Sequence, residues 1–87
     1  MKSPKEEKKL GNAVYNRLIG YMSKDSLTQY RLAQLSNLPL PTIKGIMQRR
    51  SNGTTLKTLI MLCDGLKISP SEFLDDPTFC ISNLNLE

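Results

Sequence analysis

The sequence predicts an all-α fold, a compact domain of five short helices with a short C-terminal tail. Three observations predict it. Apolar residues recur at spacings of three and four in one segment after another, the period of a helix with one buried face. Serine or threonine stands just before these segments, in two places followed by proline and then glutamate, where a helix needs acceptors for its free N–H groups. Before the tail, no run of residues reads convincingly as a strand.

The first helix has a start signal in Ser-Pro-Lys-Glu at 3–6, with Ser3 as N-cap, Pro4 in the first helical position and Glu6 reaching back. Gly11 weakens its opening, so residues 1–9 read as a basic extension. The firm part places Leu10, Val14, Leu18 and Tyr21 on one face, and residues 23–26 end it. Thr28 caps the second helix, about 29–36, with Leu27 as a staple residue and Leu32, Ala33 and Leu35 apolar. Ser36-Asn37 breaks that helix, and Pro39 restrains Leu38 from helical angles.

The third helix follows at about 40–49. Pro41 is tolerated because it lies in the first turn, where its missing N–H loses no bond. Ile43, Ile46 and Met47 form the buried stripe. Residues 49–55 (RRSNGTT) make a basic loop with a turn signal at Asn52-Gly53. The fourth helix starts at Thr54 or Thr55 and puts Leu56, Leu59, Ile60, Cys63 and Leu66 on one face. Ser69-Pro70 with Glu72 opens a short fifth helix through Phe73 and Leu74, and Asp75-Asp76-Pro77 stops it. The tail, 77–87, carries apolar residues without clear period, suited to a strand or a loose helix. The domain proper is therefore expected at 10–76.

Composition narrows function. A chain of 87 residues holds one small core. It has no histidine, which removes the commonest general base, and neither a Cys-x-x-Cys pair nor a phosphate-cradling glycine loop is present. Cys63 reads as a small buried residue and Cys80 as an exposed thiol. The acids fall at helix starts, turns and the tail. No catalytic residue, metal site or cofactor is expected. With no apolar run of membrane-spanning length and no signal-like start, a cytoplasmic protein is expected.

Net charge is +4 and is unevenly spread. Arg17, Lys24, Arg31, Lys44, Arg49, Arg50 and Lys57 face only Asp25 in the middle of the chain, whereas Lys67 faces Asp64, Glu72, Asp75, Asp76 and Glu87 after it. A basic middle and an acidic end polarise the molecule, with one side suited to a polyanion.

Two short helices around a tight turn at 28–48 can be a packing corner or a device that holds the second helix out to a partner. In a helix-turn-helix, the second helix enters the major groove of DNA. Ala33 is small enough to let the two helices approach, Asn37-Leu38-Pro39 makes a short rigid turn, and the basic loop that follows favours the DNA reading.

The residues LTQYRLAQLSNLPLPTIKGI, followed by SNGTTLKTLIMLCDGLKISPSEFL, resemble the phage repressor and Cro family of helix-turn-helix proteins. The resemblance covers about 18–74 and rests on the Leu-Thr-Gln opening of helix two, Leu32-Ala33, Thr42-Ile43, the Leu56 and Leu59 spacing, and Ile68-Ser69 with Glu72-Phe73-Leu74. It implies a five-helix lambda-repressor-like domain that binds double-stranded operator DNA, usually as a homodimer, and represses transcription. It places Leu40, Pro41, Thr42, Lys44 and Gly45 near the bases, with Lys44 also suited to backbone contact. It places Gln29, Tyr30, Gln48, Arg49, Arg50 and Asn52 at the DNA backbone.

This chain departs from the family at Leu40, Pro41 and Gly45, where polar base-reading side chains are common, and at Lys67, where a helix-ending glycine is usual. Leu40 and Pro41 can touch a thymine methyl but carry no side-chain hydrogen-bonding group. The apolar tip and acidic end also suit a second use of the fold, binding a protein partner such as a toxin or another regulator. The tail residues Phe79, Ile81, Leu84 and Leu86 are candidates for self-contact, or for packing on their own domain.

Overall fold

The computed structural model describes residues 9–48 and 54–84. Among them are the expected five α-helices and no strand: α1 (Lys9–Lys24), α2 (Gln29–Ser36), α3 (Leu40–Met47), α4 (Leu56–Leu66) and α5 (Pro70–Leu74). The Ser-Pro-Lys-Glu signal at 3–6 and the loop carrying Arg49, Arg50 and Asn52 lie outside the described residues.

Helix starts follow the side-chain chemistry. Thr28 Oγ1 accepts from the Arg31 N–H at 3.0 Å, Thr55 Oγ1 from the Thr58 N–H at 3.2 Å, and Ser69 Oγ from the Glu72 N–H at 3.1 Å. Each satisfies one otherwise orphaned donor of a helix's first turn.

Helix ends follow a different rule from the usual glycine stop. Ser26, Asn37 and Lys67 adopt left-handed backbone, with φ of 54°, 56° and 60°. After each, the next residue's N–H reaches back to a carbonyl in the last turn: Leu27 to Met22 at 2.8 Å, Leu38 to Ala33 at 3.0 Å, Ile68 to Cys63 at 3.0 Å. This is the Schellman arrangement without its glycine. Asparagine tolerates the left-handed region best of the three, because its short polar side chain can bond locally.

The core joins all five helices. Val14, Leu18 and Met22 of α1 meet Leu32 and Ala33 of α2, Ile43 and Ile46 of α3, Leu59, Leu62, Cys63 and Leu66 of α4, and Phe73 of α5. The core face of α4 differs from the sequence reading. Leu62 is fully buried, whereas Leu56 is 69% and Ile60 47% exposed. Helix α4 packs most extensively on α2, and its buried side carries Leu59, Leu62, Cys63 and Leu66, with Leu56 and Ile60 outward.

The described part of the tail, 77–84, forms neither a strand nor a longer helix. Two single 3₁₀ turns, Pro77–Phe79 and Ile81–Asn83, carry it back over α1. Asp76 starts the first, its Oδ1 accepting from the Thr78 N–H at 3.0 Å. Phe79 then packs against Phe73 with ring centroids 5.9 Å apart. Phe79 is thus used within its own domain, whereas Ile81 is 76% exposed.

Candidate nucleic-acid interface

The turn between α2 and α3 is only three residues long, because both of its ends are chemically set. Asn37 stops α2 in the left-handed conformation, and its N–H bonds the Gln34 carbonyl at 3.3 Å. Pro39 is extended (φ −60°, ψ 141°) and precedes α3, with its carbonyl accepting from the Thr42 N–H at 3.0 Å. Pro41 sits in the first turn of α3, where no N–H is required. Ala33 is 7% exposed at the inner side of this corner, small enough for the two helices to close on each other.

Helix α3 is anchored by Ile43, at 0% exposure, and Ile46, at 9%. With those residues inward, helical spacing turns Pro41, Gly45 and Gln48 to the opposite side, flanked by Lys44 and Thr42. Pro41, Lys44 and Gln48 are exposed, while Thr42 and Gly45 are half-buried. Four of the residues expected at the DNA, Pro41, Lys44, Gly45 and Gln48, therefore share one outward face, and Thr42, one turn before Ile46, lies at its border with the buried stripe. Leu40 is placed differently: it packs half-buried against the core rather than standing free in the first turn.

On α2, Gln29 is half-buried at the first helical position and Tyr30 is exposed by 63%. Tyr30, Ala33, Gln34, Asn37, Leu38, Pro39 and Leu40 line a shallow groove of about 400 Å³ beside the turn. Gln34, which is not in the set read from sequence, lines this groove one turn after Tyr30. Its Oε1 accepts from Arg31 Nη1 at 3.3 Å, so these two side chains form one polar rim.

The basic middle of the sequence does not all belong to this face. Arg17 turns the other way, donating to the Phe73 carbonyl at 2.8 Å and lying 3.8 Å from Asp76. Lys44 and Lys57 remain exposed. Among the described residues no cluster of His, Cys, Asp or Glu could hold a metal ion, and no helix is long and apolar enough to cross a membrane. Burial raises the thiol pKa of Cys63, so that group stays protonated in the core.

An anchored helix following a tight three-residue turn, with its outward face free, is the geometry of a helix-turn-helix. The family model of the Cro/C1-type helix-turn-helix DNA-binding domain matches residues 17–78. The chain belongs to that family. The match runs from the second half of α1 into the first turn of the tail, so it spans all of the core but Val14 in the first half of α1. No curated protein and no solved structure matches the chain. The family carries DNA binding, and α2 and α3 are the helix-turn-helix pair.

Proposed function

We propose that this Cro/C1-type domain binds double-stranded DNA sequence-specifically, as a transcriptional repressor, with α3 in the major groove. The observation that supports it best is the outward face of α3, where Pro41, Lys44, Gly45 and Gln48 turn away from the anchors Ile43 and Ile46, with Thr42 at its border. Thr42 and Lys44 carry the hydrogen-bonding groups nearest the bases. Gln29, Tyr30, Gln48, Arg49, Arg50 and Asn52 are assigned to the phosphates.

These two sets should separate in one experiment. Changing Arg49 and Arg50 together to alanine should weaken specific and scrambled duplexes alike, and flatten the salt slope by about 0.9 for each phosphate that is no longer neutralised. Thr42→Gln should instead reorder the preferred sites, by about 1–3 kcal/mol at one base position. Binding curves for both variants at several salt concentrations check this. An arginine pair that sets site preference while Thr42 leaves it untouched would make the loop the reading element.

The same reading requires two copies. One module of this size contacts few base pairs, and a specific site needs two half-sites about one helical turn apart. We assign the self-contact to the outer face of α4, where Leu56 is 69% and Ile60 47% exposed. Exposed Lys57 and Asp64 flank that pair with opposite charges, so antiparallel packing of two α4 helices can set Lys57 of one copy against Asp64 of the other. Phe79 is already committed to Phe73, which weakens the case for the tail.

Leu56→Ser with Ile60→Ser should leave the melting temperature near wild type, since both side chains are exposed, while abolishing the dimer in sedimentation. A tail truncated after Phe79 should sediment as wild type. If the wild type sits singly on a two-half-site duplex, this apolar face serves another protein, and the fold is used as an antitoxin or adaptor.

A further inference from the structure

The structure contains two helical glycines that nothing in the chain requires. A Cβ built on Gly20 in α1, or on Gly45 in α3, meets no other atom within 4 Å. Neither has a positive φ, so neither is needed for backbone conformation. A glycine inside a helix is nonetheless unfavourable relative to alanine, through the backbone freedom it loses on folding. In α3 that weakness falls on a helix of only eight residues. The two glycines differ in one respect: Gly20 faces solvent on α1, whereas Gly45 is half-buried on the outward side of α3, one turn after Pro41.

Pro41 and Gly45 together give that face a low centre without a hydrogen-bonding side chain. The nearest polar groups are on Lys44 beside it, on Gln48 one turn further along, and on Thr42 toward the buried side. The major groove, about 12 Å wide, barely admits a helix of about 10–12 Å diameter, so a side chain at the centre decides how deeply the backbone seats. A base edge that presents an amino group to this centre would lose its water and gain no partner. A thymine methyl needs only apolar contact.

We propose that Gly45 is a specificity-determining residue, the floor of a notch that lets α3 seat against a thymine methyl between the Pro41 ring and the Gly45 backbone. The inference rests on the DNA-binding reading and goes beyond it in naming the base feature that is read at the centre of the site.

Gly20→Ala is the matched control. Both Gly20→Ala and Gly45→Ala should melt higher than wild type, because each improves a helix without meeting a neighbour. Sites are first selected by the wild-type protein from a random duplex pool. Gly20→Ala should bind the selected site as wild type does. Gly45→Ala should bind it about tenfold or more weakly while keeping its affinity for scrambled duplex. Replacing the central thymines by uracil, which removes only the methyl, should weaken the wild type and have less effect on Gly45→Ala.

Gly45→Ala that ranks sites as wild type does would overturn the proposal, as would a wild type indifferent to uracil. A lowered melting temperature for Gly45→Ala beside a raised one for Gly20→Ala would also overturn it, since the chain itself would then need the glycine. A wild type that enriches no duplex at all would remove the DNA-binding reading and this inference with it, an outcome distinct from the others.

Discussion

Replacing Gly65 with alanine should lower the melting temperature by about 10–20 °C. Gly65 lies in the last turn of α4, where the end of α2 crosses it at backbone distance. A Cβ there would stand 2.5 Å from Ser36 Oγ, 2.8 Å from Ser36 N and 2.9 Å from Ser36 Cα. Two of those atoms are backbone, so no rotamer change relieves the clash and α2 must move. Overpacking of this kind costs about 1–3 kcal/mol and more where backbone is displaced. For a domain of this size each kcal/mol is worth about 4–8 °C.

The consequence reaches the DNA-binding face, because α2 carries the turn that aims α3. Ser36 is itself informative: it is 2% exposed and its hydroxyl has no hydrogen-bond partner. Ser36→Ala should therefore be close to neutral or slightly stabilising, since it removes a buried unsatisfied group. It should not rescue Gly65→Ala, because the contacts to Ser36 N and Cα remain. Thermal melts of the two single variants and the double variant check this. Recovery of wild-type melting by the double variant would mean that the hydroxyl alone, not the backbone, sets the limit.

Removing Arg17 should have the next largest effect, a loss of about 3 kcal/mol. Its guanidinium is the bolt between α1 and the end of α5. Nε donates to the Phe73 carbonyl at 2.8 Å, and Nη2 donates to the Glu72 carbonyl at 2.6 Å and the Tyr21 hydroxyl oxygen at 3.0 Å. It also lies 4.9 Å from the Tyr21 ring centroid and 3.8 Å from Asp76. The Tyr21 hydroxyl in turn donates to the Glu72 carboxylate at 3.0 Å. Arg17→Ala leaves two carbonyls at a helix C-terminus without their charged donor, where a cation is also favoured by the helix dipole. Arg17→Lys should restore only part of the loss, since a single ammonium cannot reproduce the planar fork.

Urea unfolding of both variants measures this, and equal stability of Arg17→Ala and wild type would refute it. A pH dependence accompanies the same cluster. The carboxyl pKa of Asp76 is lowered, first by the Thr78 backbone N–H, next by the Thr78 hydroxyl, and also by Arg17. A carboxylate whose folded pKa is depressed stabilises the fold above its unfolded pKa, about 3.9. That contribution is lost as pH falls below about 4 and through the lower folded value.

The self-contact proposed on α4 and the notch proposed at Gly45 both come from residues whose environment the sequence reads ambiguously. In α4, Leu56 and Ile60 have helical spacing with Leu59 and Cys63, so periodicity alone allows either side to be the core. Leu62 takes the place of Ile60 on the buried side of α4, which packs most extensively on α2. A run with apolar residues on both sides of a helix leaves its rotation to the partners it meets.

What the sequence determined by itself is local. Thr28, Thr55 and Ser69 mark the starts of α2, α4 and α5 because a hydroxyl one residue ahead of a helix satisfies a donor whatever else surrounds it. Asn37 and Pro39 set the length of the turn through their own backbone preferences. Residues 28–48 accordingly announce a helix-turn-helix, and their register with later landmarks points to the family. Tertiary structure decided what depends on residues distant in the chain. Arg17 reads as part of a basic stretch, but α5 brings the Phe73 and Glu72 carbonyls to it across more than fifty residues of sequence. Gly65 carries no signal of its own in the sequence, and only the crossing with Ser36 shows that a Cβ has no room there. Gly45 reads through the resemblance as a base-proximal position without a side chain, and only the structure shows that a Cβ there would meet nothing within 4 Å among the described residues. Local capping and turn chemistry act within a few residues, whereas packing is settled by volumes and charges that meet only after the helices have folded together.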